Sequence, residues 1–183
     1  MRLFTALDLS PGVYENLQRL LDTLRPAARL RWSRPENLHL TLKFIGEWRE
    51  DRLSALCDAL NGVPAPAPFE VQVFGLGFFP NARAPRVFWA GISTCAELNR
   101  LAGEVDRALE PLGVAREERP YAPHLTLARI QERTSLDGLH QGIQDLPSLD
   151  FGRFAPDRLY LYQSRPTPGG SVYTRVREFP WNR

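Results

Sequence analysis

Two stretches of the chain alternate apolar and polar residues with period two, and they share a tetrapeptide. Residues 37–44 read NLHLTLKF and residues 123–130 read PHLTLARI. Such alternation marks a strand with one buried face, because side chains i, i+2 and i+4 point the same way. Other elements follow from the same reading. Residues 2–9 form a first strand. Ser10 as N-cap and Pro11 at the first helical position open a helix striped by Leu17, Leu20, Leu21 and Leu24, and Pro26 ends it. A short strand, RLRWS, precedes the first HLTL. Residues 49–61 form a second helix with Leu53, Leu56, Cys57 and Leu60 inward and Asn61-Gly62 as its stop. A stiff Pro/Ala linker covers 63–69. Strands FEVQVFGLGFF and RVFWAGIS come next, then a helix over about 94–112, the second HLTL strand, a helix over 134–146, and a hairpin of RLYLYQSR with SVYTRVREF around PTPGG.

Strands a turn apart, mixed with helices, predict an α+β fold with antiparallel sheet and not a doubly wound parallel one. Each half offers a strand, a helix and an HLTL strand, so a duplicated two-lobed unit is expected within one domain over 1–183. A chain of 183 residues can bury a full core. No apolar run reaches the ~18 residues of a membrane span. The first ten residues lack the apolar core and cleavage site of a signal peptide. The two cysteines, Cys57 and Cys95, form no CxxC pair and read as structural thiols in a reducing compartment. The expectation is a cytoplasmic monomer with no membrane partner.

The net charge of +2 and pI of about 8.7 permit binding to the end of a nucleic acid but do not demand a long phosphate track. Lys43 is the chain's one lysine against 22 arginines. Simple alternation puts His39, Thr41 and Lys43 on one face and the leucines on the other; His124 and Thr126 pair likewise. Each histidine then stands about 7 Å from its threonine. Two imidazoles can act as general acid and general base near neutrality. Two threonine hydroxyls can donate to the non-bridging oxygens of a phosphoryl centre. Lys43 would add a fixed charge to the first pair only, since Ala128 holds the matching place. Zinc would want three or four His, Cys, Asp or Glu ligands in close array, and neither strand carries a carboxylate or thiol. His140 reads as a helix-packing or surface residue, and no P-loop is present. No metal or other cofactor is expected.

The segments RWSRPENLHLTLKFIG and RPYAPHLTLARI resemble the two HxTx motifs of the two-histidine phosphoesterase superfamily. RLFTALDL, FPNARAPRVFWAGI and LYLYQSR extend the likeness to the RNA 2′,3′-cyclic phosphodiesterases, also called LigT or ThpR proteins or 2′-5′ RNA ligases. The resemblance implies a bilobal, pseudo-two-fold α+β fold with antiparallel sheets lining a central cleft and helices outside. It implies metal-independent hydrolysis of an RNA-terminal 2′,3′-cyclic phosphate to a 2′-phosphate. His39 would protonate the leaving 3′ oxygen, His124 would activate water, and Thr41 and Thr126 would hold the phosphate. Arg129 matches a family arginine, although alternation sets it on the leucine face unless the strand bulges. Phe44, at the same offset from His39, could stack on the terminal base or be core. The partners implied are RNA 3′ ends with a 2′,3′-cyclic phosphate, with tRNA fragments and cyclic nucleotides among the candidates. Three other functions stay open at this stage: 2′-5′ RNA ligation, hydrolysis of a small cyclic nucleotide, and noncatalytic binding of RNA ends.

Overall fold

The computed structural model describes residues 1–131, 134–168 and 170–181. The strands are β1 (Arg2–Leu7), β2 (Arg31–Trp32), β3 (Leu40–Glu47), β4 (Val71–Phe79), β5 (Val87–Ile92), β6 (His124–Arg129), β7 (Asp150–Phe154), β8 (Arg158–Thr167) and β9 (Gly170–Pro180). The helices are α1 (Pro11–Leu24), α2 (Leu53–Asn61), α3 (Ala96–Leu109) and α4 (Asp137–Gln144). Ser10 caps α1 as expected, its Oγ accepting from the Val13 N–H at 3.4 Å, and the leucine stripe of α1 is buried. Cys95 caps α3: its sulfur accepts from the Leu98 N–H at 3.5 Å, so the helix starts at Ala96 and not at 94. The helix expected over 134–146 covers only Asp137–Gln144. Strand β7 was not foreseen. Gly169, part of the PTPGG expected as the hairpin turn, lies outside the described residues.

All pairings within the two sheets are antiparallel. One sheet has the order β3-β1-β8-β9 and the other β2-β6-β5-β4-β7. The lobes therefore exchange pieces. The C-terminal hairpin completes the sheet of the first motif, and β2, which directly precedes that motif, joins the sheet of the second. The helices cross over as well. Helix α3, between β5 and β6, packs on β3, while α1, between β1 and β2, packs on β7. Exchange of this kind knits both halves into one core, from Leu3 and Leu40 through Phe88 and Leu125 to Leu161.

The helices cover the faces of the sheets opposite the motif histidines. On the first sheet, Asp106 of α3 meets Lys43 of β3. On the second, His140 of α4 lies 5.4 Å from Phe78, which packs on the buried Phe88. The uncovered faces adjoin where β3 and β6 run within 8 Å of each other, Cα to Cα. No helix among the described residues is long and apolar enough to cross a membrane.

Candidate active site

The two motif strands carry the same irregularity. Against β1, β3 pairs Ala6 with Thr41 and Thr5 with Lys43, leaving Leu42 as an extra residue. Against β5, β6 pairs Trp89 with Thr126 and Phe88 with Ala128, leaving Leu127 extra. Each is a β-bulge one residue past the motif threonine, and a bulge reverses side-chain parity beyond it. Before the bulges, the His and Thr of each motif are half-buried, while Leu40 and Leu125 are fully buried on the other side. Beyond them, Lys43 and Ala128 turn into the core, and Phe44 and Arg129 emerge exposed.

Strict alternation is thus wrong for Lys43. It does not share a face with His39 and Thr41. Its Nζ lies 2.6 Å from Asp106 Oδ1 and 3.3 Å from Glu117 Oε1, and it donates to the Ala115 carbonyl at 2.6 Å. Burial would raise the Asp106 carboxyl, but the hydrogen bond and charge of Lys43, the Glu117 N–H and the Arg116 charge outweigh it and hold that carboxyl below its usual value. The lysine ties β3 to the loop that leads from α3 to the second motif. The same parity change resolves the conflict over Arg129 in favour of a bulge. It also settles Phe44, which is 62% exposed and not core. The Phe44 ring lies 6.0 Å from Phe4, which itself stacks on His39.

His39 sits in an aromatic nest. Phe4 stacks on it at 4.7 Å, Tyr162 lies parallel at 5.7 Å, and Tyr173 meets it edge-on at 5.1 Å. Asn37 fixes β9 beside it by donating from Nδ2 to the Ser171 carbonyl at 2.7 Å. Burial lowers the imidazole from 6.5 to about 4, against a hydrogen bond to the Asn37 backbone that favours the cation. His39 is therefore neutral in the free protein at neutral pH.

His124 bonds the equivalent carbonyl, two residues upstream. Its Nδ1 lies 2.8 Å from the Ala122 oxygen. A carbonyl only accepts, so Nδ1 carries the proton and the neutral ring keeps its lone pair on Nε2. Phe79 meets this ring edge-on at 5.0 Å, and Trp89 packs on Phe79 at 5.1 Å. Trp89 lies over Gly77, where a Cβ would come within 2.3 Å of the indole. Among the described residues, the hydroxyls of Thr41 and Thr126 have no side-chain hydrogen bond.

The half-sites are joined across the seam by Tyr121, whose hydroxyl donates to the Thr41 carbonyl at 2.8 Å. Ser33 helps from the other direction, with Oγ on the Thr126 carbonyl at 2.7 Å and N–H on the Leu127 carbonyl at 2.8 Å. The sequence reading missed Phe4, Phe79, Tyr121 and Tyr173. Phe4 and Phe79 lie in strands it recognised, but which rings would meet a histidine depended on strand pairing. The histidine and threonine of each motif lie half-buried on the sheet faces opposite the helices. A cavity of about 420 Å³ opens at the end of β6, lined by Arg83, Arg86, Gln131 and His140 among others, and neither motif histidine lines it. Among the described residues, no group of three His, Cys, Asp or Glu side chains could hold a metal ion.

This arrangement offers two imidazoles in different aromatic surroundings and two free hydroxyls, which suits proton transfer at a phosphoryl centre. Known proteins show the same combination of sequence and fold. The RNA 2′,3′-cyclic phosphodiesterase of Methanothermobacter thermautotrophicus is 35% identical over 184 residues, covering 98% of both chains. A Thermus thermophilus protein of known crystal structure superposes with a TM-score of 0.81 at 29% identity, covering 98% of this chain and 97% of that one. Escherichia coli LigT, solved in complex with 3′-AMP, superposes with a TM-score of 0.79 at 26% identity, covering 100% of this chain and 98% of that one. The model of the LigT-like phosphoesterases matches residues 7–89 and again 92–173, one HLTL strand in each. Matched twice over most of its length, the chain belongs to the LigT-like phosphoesterase family.

Proposed function

We propose that this protein hydrolyses the 2′,3′-cyclic phosphate at the 3′ end of RNA to a 2′-phosphate, without a metal ion. The observation that supports this best is the pair of identically bulged HLTL strands, each presenting a histidine and a free threonine hydroxyl on the uncovered face of its sheet. The relatives named for this activity support the substrate class.

In this reading, Nε2 of His124 takes a proton from water as the oxygen attacks phosphorus. The bond from phosphorus to the 3′ oxygen breaks, and His39 gives that oxygen a proton. The products are a 3′-hydroxyl and a 2′-phosphate. Thr41 and Thr126 donate to the non-bridging oxygens, where charge builds. His39 must be protonated to serve as the acid, and the bound anionic phosphate favours its cation, raising its pKa from the low value of the free protein. Arg129 and Phe44, exposed on the same faces, are assigned to the RNA that flanks the phosphate.

The test is incubation of purified, EDTA-treated protein with a short RNA ending in a 2′,3′-cyclic phosphate, reading the position of the product phosphate. Turnover to a 2′-phosphate is expected. A 3′-phosphate product would reverse the leaving group. Tight binding without turnover would make the protein an RNA-end-binding module.

A further inference from the structure

Strand β2 leads into the first motif, yet it pairs with the strand of the second. In that pairing Arg31 stands directly opposite Arg129, and Trp32 opposite Ala128. Trp32 points to the covered side: its ring meets the buried Phe88 edge-on at 6.1 Å, and its N–H donates to the Ala28 carbonyl at 3.1 Å. Arg31 therefore lies on the other side, the face of His124 and Thr126, beside Arg129. Both arginines are exposed. Among the described residues neither has a carboxylate partner, whereas Arg158 and Arg175 each hold one. Like charges directly opposite each other destabilise an antiparallel pair. The strands cannot slip to relieve this, because Ser33 locks β2 onto the Thr126 and Leu127 carbonyls. Two arginines at directly opposite strand positions, without a carboxylate partner among the described residues, can converge on one anion.

We propose that Arg31 and Arg129 form a clamp for the phosphodiester on the 5′ side of the terminal nucleotide. This rests on the function proposed above. The histidine and threonine pairs already account for the cyclic phosphate. Arg129 lies three residues beyond Thr126, at most about 10 Å along the strand, which displaces the clamp from the reacting group. The planar fork of an arginine matches two oxygens of one phosphate at once. The clamp makes an oligonucleotide end a better substrate than a nucleoside 2′,3′-cyclic phosphate.

The test compares wild type with Arg31→Gln on a nucleoside 2′,3′-cyclic phosphate and on a dinucleotide ending in one. The variant should lose roughly tenfold in kcat/KM on the dinucleotide, the scale of one charge-assisted hydrogen bond, and nothing on the mononucleotide. Its dependence of log kcat/KM on log salt for the dinucleotide should be shallower by about 0.7. Its melting temperature should not fall, since a like-charge contact has been removed. Equal losses on both substrates would place Arg31 at the cyclic phosphate or in the fold, and no loss would make it an ordinary surface arginine; either overturns the clamp. Binding of mononucleotide and dinucleotide 2′-phosphates, measured alongside, reads the clamp even if wild type turns over neither substrate, the result that would overturn the proposed hydrolysis instead.

Discussion

The imidazole of His39 lies against the ring of Phe4, with centroids 4.7 Å apart and planes 25° from parallel. A ring held this way is protonated only at a desolvation cost, which lowers its pKa from 6.5 to about 4. Between those values the unfolded chain binds a proton that the folded chain does not. Stability from this group is therefore fully present above about 6.5 and is lost as pH falls toward 4. The loss should be about 3 kcal/mol. Urea unfolding of wild type and a His39→Gln variant at pH 7 and pH 4 measures it: the gap in pH dependence between them should be of this size. Parallel pH dependences would show that His39 is not desolvated.

The two histidines should fail as a unit. Replacing either His39 or His124 by alanine should lower kcat by roughly 10²–10⁴-fold, and the double variant should be little worse than the slower single one. Multiplicative losses would mean that the two rings act in separate steps. A single variant with a near-normal rate on a cyclic phosphate would remove that histidine from the chemistry.

Lys43 and Asp106 make a largely buried ion pair at 2.6 Å, and Asp106 also receives the N–H of Glu117. Lys43→Met leaves that carboxylate without its main partner and should destabilise by about 3 kcal/mol. Replacing Asp106 by leucine in the same chain should restore much of the loss, because two apolar residues can replace a buried pair. Denaturant titration of the four proteins in the cycle decides it. Lys43→Met with intact stability but no activity would return the lysine to the substrate.

Phe44 is exposed and contributes little to the core. Phe44→Ala should leave stability within about 0.5 kcal/mol. If the ring stacks on the terminal base, KM for an RNA end should rise roughly five- to hundred-fold, the range for loss of one base–aromatic stack. An unchanged KM with unchanged stability would leave the ring without a part in recognition.

Much of the site was legible because period two is a local property. His39, Thr41, His124 and Thr126 needed only a strand and its alternation. Ser10 and Pro11 declared the start of α1 through the chemistry of their own side chains. Lys43, Phe44 and Arg129 were not legible in the same way. Their faces depend on Leu42 and Leu127 being extra residues, and a bulge exists only between two paired strands. No feature of KF or AR announces it.

The chain by itself determined two half-buried strands, each with a histidine and a threonine on one face, within an α+β protein that repeats its pattern. That follows from the short range of backbone geometry, in which neighbours two apart must point the same way. Only the tertiary structure decided that β2 crosses to the second sheet and sets Arg31 against Arg129. It also decided that Phe4 and Tyr173 enclose His39 while His124 meets Phe79. These partners are far apart in sequence and meet only through strand pairing and burial. The same tetrapeptide thus sits in two different environments, and that difference gives the two histidines room for different roles.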